Sequence, residues 1–365
     1  MRLRQAGALL AAMLAAMVAA GCSASAAGDK AGGGPAGGPV VLRMASTSAD
    51  VSGVPPVADF VRRVQELSGG SIRITVINQW GDFAPSNEAQ AVSAVAAGTA
   101  DLGWAGSEVF DTVGVPGLRA LSAPMLIDSY PLENAVLTSA LPARMLAGLS
   151  RVRVTGLAIL GDALRHPIAV RAPLLAPADW SGLSIGTYRS GVQEQAIRAL
   201  GATPVVAFGP NRTHDLATGR IQGFEFDVQR YGHDVPVSSA RYVTANAVLW
   251  PQFDVLFANP ARLASLTAQQ RGWLRRASQQ AAADSVSLVA GQNGPDIRQA
   301  CALGARFATA TSAELTALRT AFIPVYRSLE ADPQTSAFIA QIQQLKQTTR
   351  PGTAPAIPAG CAARQ

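Results

Sequence analysis

Residues that build metal centres and nucleophilic active sites are scarce in this sequence. It has three cysteines and three histidines, and His166, His214 and His233 lack the spacing of metal ligands. No segment predicts a nucleophile elbow, a His-Glu-x-x-His helix or a Gly-x-Gly-x-x-Gly loop between a strand and a helix. We therefore expect no metal, no cofactor and no catalysis.

Lysine is also scarce, because it occurs only at positions 30 and 346 and arginine supplies the other basic residues. The formal net charge of +6 is modest for a chain of 365 residues. The basic residues are scattered, and only Arg62-Arg63 and Arg275-Arg276 are adjacent pairs. This distribution does not predict a nucleic-acid-binding surface.

Long apolar runs are limited to the N-terminus. Arg2 and Arg4 precede an uncharged run of about 15 residues, Ala6–Ala20, which is shorter than the roughly 20 residues that span a bilayer. This layout predicts a secretory signal over residues 1–21. Ala19-Ala20-Gly21-Cys22 resembles a lipobox, with lipidation at Cys22, although Ala19 stands where lipoboxes favour leucine. The protein is expected at the extracytoplasmic membrane face, lipid-anchored, or else secreted after cleavage nearby.

Both ends of the remaining chain are rich in small residues. Residues 22–39 are mostly Gly, Ala, Ser and Pro, a composition that predicts a flexible tether. Residues 350–365 have a similar composition and are expected to form an irregular tail. In an oxidising compartment, Cys301 and Cys361 predict a disulfide that holds this tail, and two unpaired thiols are the alternative.

Between these ends, amphipathic segments repeatedly end at glycine just before an apolar, β-rich segment. One example is the helical pattern of Pro55–Ser68, followed by Gly69-Gly70 and the strand pattern of Ser71–Ile77. Glycine after a helix closes the last turn at little steric cost. The repetition predicts an α/β fold with largely parallel strands. Beyond Pro260 the patterns are nearly all helical.

Six short segments between residues 40 and 346 form an ordered series: GGSIRI from Gly69, AGTAD from Ala97, APML from Ala123, DWSGLSI from Asp179, LGATP from Leu200 and LATGRIQGFE from Leu216. Their order and spacing resemble the solute-binding proteins of TRAP transporters, also called the C4-dicarboxylate-binding type. The resemblance implies a periplasmic-binding-protein-like (type II) fold of two α/β lobes, with a ligand cleft between them and a long helix. It implies that lobe I comprises residues 40–162 and 248–290, and lobe II residues 163–247 and 291–349.

The resemblance also indicates where a solute binds. Family members clamp a ligand carboxylate with an arginine at the position of Gly186, and Phe226 stands near a family asparagine. Arg165 matches a further family arginine. Either Arg165 and Arg189 bind the ligand instead, or the ligand is not a simple carboxylate. Tyr188 and Arg189 precede a helix predicted to begin near Gly191, and helix N-termini attract anions.

Four more positions complete the predicted site. Trp104, Glu225 and Phe226 end comparable strands of the two lobes, where aromatic rings could enclose a ligand, although core packing is an alternative. Ser46 and Thr47 follow the first strand and offer hydroxyl groups, which loop and capping hydrogen bonds also explain.

The predicted function is capture of a small polar organic solute, including an organic anion, for delivery to TRAP-type membrane permease subunits. A sensory or accessory lipoprotein of the same fold is the main alternative. An extracellular hydrolase is a third, which the missing nucleophile motifs disfavour.

Overall fold

The computed structural model describes residues 38–353 and 356–363. The predicted signal, Cys22 and most of the tether lie outside these residues. No helix within the described part of the chain is both long and apolar enough for a bilayer crossing.

Strands and helices alternate through most of the described chain. The strands are β1 (Val40–Ala45), β2 (Ile72–Ile77), β3 (Leu102–Gly106), β4 (Thr155–Ala169), β5 (Ser184–Thr187), β6 (Thr203–Val206), β7 (Gly223–Phe226), β8 (Tyr242–Thr244), β9 (Trp250–Ala258) and β10 (Arg306–Ala308). The helices are α1 (Pro55–Leu67), α2 (Asn87–Ala96), α3 (Val109–Thr112), α4 (Tyr130–Thr138), α5 (Leu141–Ala147), α6 (Pro177–Trp180), α7 (Gly191–Ala199), α8 (Pro210–Ala217), α9 (Pro260–Ser265), α10 (Ala268–Ala290), α11 (Asn293–Ala302), α12 (Ser312–Ala321), α13 (Ile323–Glu330) and α14 (Pro333–Thr348).

The predicted two-lobed α/β fold is confirmed, and two strands cross between the lobes. The sheet order is β2-β1-β3-β9-β4-β7-β5-β6, with β8 beside β4 and β10 beside β8. The first part of β4, through Arg165, pairs with β9, whereas His166–Ala169 pair with β7 and partly with β8. β4 therefore belongs to both lobes.

The strands are parallel within each lobe and antiparallel at the centre. β1 runs parallel to β2 and β3, and β5 runs parallel to β6 and β7. β9 is antiparallel to both β3 and β4. The chain crosses to the second lobe along β4 and returns along β9, so these two strands run in opposite directions. The expectation of largely parallel strands is thus wrong for the centre of the molecule.

The helices cover the sheets with the faces that the sequence pattern predicts. On α1, Val57, Phe60 and Val64 are fully buried and contribute to an apolar core shared with the long helix α10. Burying a side chain of this size stabilises the fold by about 1.5–3 kcal/mol. α10 extends over 23 residues and also packs against β4 and α4. It therefore supports the first lobe behind the crossing strands.

The last helix differs from its predicted placement. Residues 291–349 were expected in the second lobe, and β10 does pair with β8 there. α14, however, packs against α4 and the turn at Pro116–Ser122, where its Phe338 and Ile342 are buried. Lys346 Nζ donates to the carbonyl oxygens of Met125 at 3.0 Å and Leu126 at 2.8 Å. The apolar face of α14 thus completes the first lobe, while the other lobe boundaries stay predictions.

The C-terminal tail lies beside α11 and β10. A disulfide joins Cys301 of α11 to Cys361, with 5.6 Å between their Cα atoms. The Ala363 N–H donates to the Phe307 carbonyl at 2.8 Å, so the tail continues the edge of β10. The short strand β10 was not predicted, because three residues are too few to show an alternating pattern.

Candidate functional site: the interlobe cleft

A cavity of about 590 Å³ lies where the two lobes meet. Its walls come from the loops after β1, β5, β6 and β7, from the start of α2, and from side chains of β3, β4 and β9. Ligands of open α/β sheets bind at the carboxyl ends of parallel strands, and the volume falls in the usual range of small-molecule sites. The cavity is therefore the candidate solute site.

Arg165, predicted as the retained charged contact, lines the cavity but already has partners. It is 1% exposed, and its Nε and Nη2 donate to Gln252 Oε1 at 3.0 and 2.8 Å. Its Nη1 donates to Glu225 Oε2 at 3.1 Å. Burial raises the pKa of Glu225, and the Arg165 guanidinium opposes that effect. Glu225 thus balances the charge of Arg165. The three hydrogen bonds to Gln252 and Glu225 leave two of the five Arg165 N–H groups for a ligand.

Aromatic side chains form much of the remaining wall. The Tyr188 and Phe208 rings stack with centroids 5.4 Å apart, and the Tyr188 ring also faces the Arg165 guanidinium at 4.6 Å. Phe226 and Trp104 line the cavity as well. The structure therefore brings Tyr188, Trp104 and Phe226 together, as the sequence predicts.

The two predicted hydroxyl residues have different surroundings. Thr47 lines the cavity. Ser46 is fully buried, and its Oγ accepts a hydrogen bond from Trp104 Nε1 at 3.0 Å. Ser46 thus orients the indole ring, whereas Thr47 is available to a ligand.

Arg189 does not enter the cavity, contrary to the expectation. It is exposed and is not among the lining residues, although its neighbour Tyr188 is. Both residues follow the end of β5 at Thr187, and the chain bends at Arg189, which directs the two side chains differently. A side chain at Gly186 would not reach the cavity directly either, because a Cβ there lies 2.9 Å from Ile221 Cδ1 and 3.3 Å from Phe224 Cβ. The position of the family arginine thus faces packed side chains.

Gly182-Leu183-Ser184-Ile185-Gly186 has the Gly-x-Ser-x-Gly pattern of a nucleophile elbow, so the expectation that the sequence lacks this pattern is wrong. Ser184, however, lies within β5, whereas an elbow serine stands at a sharp turn from a strand to a helix. The segment therefore has the sequence pattern of a nucleophile elbow but not its turn. Among the described residues, no group of three or more Cys, His, Asp and Glu side chains is arranged to hold a metal ion.

Arg212 is a cavity residue that the sequence analysis missed. It lies in α8, is 2% exposed, and its Cζ lies 4.0 Å from the centre of the Phe226 ring. Its guanidinium makes no hydrogen bond or ion pair with any side chain or carbonyl in residues 38–353 and 356–363. Arg212, Asp215 and Leu216 are buried together, and their i, i+3, i+4 spacing is the signal that could have placed Arg212 on the inner face of the helix.

Two carboxyl groups line the first-lobe wall of the cavity, and neither was predicted from the sequence as a lining residue. Asp254 of β9 is 1% exposed, and burial, followed by the nearby Asp162 carboxyl, raises its pKa well above the ordinary value. Glu88 of α2 accepts a hydrogen bond from the Gly106 N–H at 2.8 Å. Burial, followed by the neighbouring Glu108 carboxyl, raises the pKa of Glu88 to about 8.

Arg230, another lining residue, is held by acidic neighbours. Its Nη2 lies 2.7 Å from Asp162 Oδ2 and 3.0 Å from Asp227 Oδ2. The charge of Arg230 is therefore matched within the protein.

The sequence matches the bacterial extracellular solute-binding proteins of family 7 (DctP) over residues 48–332. The chain belongs to this family. The match includes both crossing strands and every cavity-lining residue described above except Thr47.

Solved structures share the receptor's fold at low sequence identity. A TRAP periplasmic solute-binding protein from Ralstonia eutropha, with bound (S)-2-acetolactate, has 18% identity and a TM-score of 0.75, and the alignment covers 84% of this chain and 99% of that one. One from Chromohalobacter salexigens with bound D-glucuronate has 18% identity and a TM-score of 0.73, with coverage of 83% and 99%. One from a Bradyrhizobium species with D-galacturonate has 22% identity, a TM-score of 0.73, and coverage of 83% and 99%. No curated protein sequence gives a significant match to the chain.

Proposed function

We propose that this receptor captures a small solute bearing a carboxylate outside the cytoplasm and delivers it to TRAP-type permease subunits, without catalysis. The observation that carries the proposal is Arg212, a buried guanidinium without a partner at the wall of the interlobe cavity. A planar guanidinium can give a carboxylate two parallel charge-assisted hydrogen bonds. The three solved relatives described above hold compounds that each carry a carboxylate.

The other cavity residues have supporting roles in this proposal. The two free N–H groups of Arg165 and the hydroxyl of Thr47 supply further polar contacts. Tyr188, Trp104 and Phe226 enclose the carbon skeleton and exclude water, which strengthens each polar contact. Arg189 is not part of the proposed site.

Contacts across the mouth of the cavity support a receptor that closes over its solute. Asn211 Nδ2 of α8 donates to the Phe83 carbonyl oxygen, from the loop before α2, at 3.3 Å. A ligand that touches both lobes stabilises the closed form by the difference between its affinities for the closed and open forms. Lipidation at Cys22, if it occurs, keeps this receptor at the membrane beside its permease.

The test is a thermal-shift screen of the purified protein against organic acids, followed by calorimetry on the best ligand. Binding to the folded state raises the melting temperature by mass action. Arg212→Gln should weaken binding at least about 30-fold, since losing one partner of a desolvated charged hydrogen bond costs about 2–5 kcal/mol. Arg189→Gln, which removes an exposed arginine outside the cavity, is the matched control and should leave affinity unchanged. Equal effects of the two substitutions would refute the proposed role of Arg212.

A further inference from the structure

Carboxyl groups outnumber guanidinium groups around the cleft. Arg165 pairs with Glu225, and Arg230 pairs with Asp162 and Asp227. Four further carboxyl groups on the first-lobe side have no guanidinium partner in the described chain: Glu88, Glu108, Glu133 and Asp254. Asp234, on the second-lobe side, also lines the cavity without an ion pair in the described residues, and Arg230 and Arg212 oppose the rise in its pKa that burial causes. On the first-lobe side of the cleft, these carboxyl groups are therefore either negatively charged without a cationic partner from the described residues, or protonated.

Two of these four groups line the cavity. Asp254 Oδ2 is buried and has no hydrogen-bond partner in the described residues, and Asp254 Oδ1 has only a 3.4 Å contact with Gln252 Nε2. Glu88 uses one oxygen to accept the Gly106 N–H. A buried carboxyl oxygen without a partner costs free energy, so a partner supplied by a ligand is favoured.

The indole ring of Trp104 lies on the same face of the sheet as Asp254. Asp254 is directly opposite Gly106 in the β3–β9 pairing, and Trp104 is two residues from Gly106. Residues two apart in a strand, and residues directly opposite across a pair, share one face of a sheet. Trp104 and Asp254 therefore share the face that lines the cavity. An ammonium group there can meet carboxylate oxygens and an indole face together.

The positive charge of Arg212 lies on the second lobe, across the cavity from these carboxyl groups. Arg212 belongs to α8 and lies against Phe226 of β7, whereas Glu88 and Asp254 belong to α2 and to β9, next to β3. A simple monocarboxylate would satisfy Arg212 and leave Asp254 without a partner.

We propose that the cleft is built for a zwitterionic solute, an amino acid or betaine, whose carboxylate binds Arg212 and whose ammonium group binds Asp254, Glu88 and Trp104. This proposal rests on the proposed function of carboxylate capture and adds the second charge of the solute. Such a ligand places its carboxylate at Arg212 and its ammonium group at Asp254, whose Oδ2 has no hydrogen-bond partner in the described residues. It also favours closure, because only the closed form brings both contacts to one molecule.

The experiment is calorimetry at pH 7.4 with three matched probe sets. The first set is the proteinogenic α-amino acids and the ω-amino acids from 3-aminopropanoate to 6-aminohexanoate. The second set is the carboxylic acids of the same skeletons, and the third is the amines. The proposal expects at least one amino acid to bind at least about 30-fold more tightly than both of its matched partners.

Other results overturn the proposal in distinguishable ways. If the carboxylic acids bind as tightly as the amino acids, carboxylate capture stands and the zwitterion proposal fails. If no amino acid binds while the organic-acid screen yields a ligand, the zwitterion proposal fails in the same way. If the amines match the amino acids and Arg212→Gln has no effect, both proposals fail.

Substitutions locate the ammonium contact. Asp254→Asn should remove the preference for the amino acid over its matched carboxylic acid, with at least about a 30-fold loss for the amino acid and no loss for the acid. Glu88→Gln should act in the same direction and provides a second test should Asp254→Asn fail to fold. Asp296→Asn is the matched control, since Asp296 Oδ2 also lacks a partner in the described residues but lies in α11, away from the cavity wall. Equal losses for the amino acid and its acid in Asp254→Asn would show a structural role and overturn the proposal.

Discussion

Replacing Arg212 with methionine should stabilise the ligand-free protein and abolish its binding of carboxylates. The guanidinium is 2% exposed and has no ion pair in the described chain, so folding removes its charge from water with no carboxylate in direct contact; Glu225 and Asp234 act on it only from a greater distance. The effective cost of burying such an ion is several kcal/mol. The Phe226 ring, 4.0 Å away, offsets about 2 kcal/mol of it. Methionine retains the long apolar stem and removes the charge.

The expected gain in the free energy of unfolding is therefore about 1–3 kcal/mol. Urea denaturation of the ligand-free proteins measures this gain, and calorimetry with the best screened ligand measures the accompanying loss of affinity. Arg189→Met is the control, since removal of an exposed arginine should change stability by less than about 0.5 kcal/mol. A loss of stability greater than about 1 kcal/mol in Arg212→Met would show that Arg212 is structurally satisfied, and the reasoning about its role would be refuted.

Further substitutions test other features of the chain. Burial lowers the pKa of His166 from 6.5 to about 4. The unfolded chain therefore binds more protons than the folded protein between these pH values, and the free energy of unfolding falls as pH drops through this window. Between pH 7 and pH 5, His166→Asn should lose about 2 kcal/mol less stability than the original protein, as measured by urea denaturation. Gly186→Arg should destabilise the fold without creating carboxylate affinity, because its Cβ meets packed side chains; a gain in affinity on calorimetry would contradict the assigned orientation. Cys22→Ser should release the protein from membranes into the medium, and an original protein already soluble through cleavage elsewhere would disprove anchoring. Cys301 and Cys361 should resist alkylation in the native protein, and reduction should cost less than the chain-entropy value of about 4 kcal/mol because the bond holds only a short tail.

Local sequence patterns predicted the α/β fold because helix ends and strands have local causes, whereas the two lobes were implied by the family resemblance. The glycine after α1, at Gly69, has a positive φ of 57°, as the helix–glycine–strand pattern requires. The extent of β4 was less predictable. The β-rich segment Val152–Leu160 covers only the first part of β4, and pairing with β9, β7 and β8 continues the strand to Ala169. That continuation depends on partners from distant parts of the chain, which a local pattern cannot show.

The residues of the candidate site were likewise predictable only where a local pattern or the family resemblance indicated them. Arg165 was predicted from the family resemblance, whereas Tyr188 and Trp104 were predicted from the patterns of the strands that they follow or end. Asp254 was missed because only the register of β9 against β3 brings it to the cavity. Arg212 was missed because its place depends on how α8 packs over Phe226. Charged residues buried by tertiary packing carry little signal in a single sequence.

The crossing strands also restrict how this receptor can change its preference among solutes. Arg165 belongs to β4, and Gln252 and Asp254 belong to β9, so these polar groups stand on the two strands that connect the lobes. A substitution there alters solute contacts and the balance between open and closed forms together. Residues on the loops, such as Tyr188 and Phe208, face the same solute without carrying the motion. Divergence of preference within this architecture, in nature or by engineering, should therefore proceed first through the loops, while the strand residues change rarely and in concert.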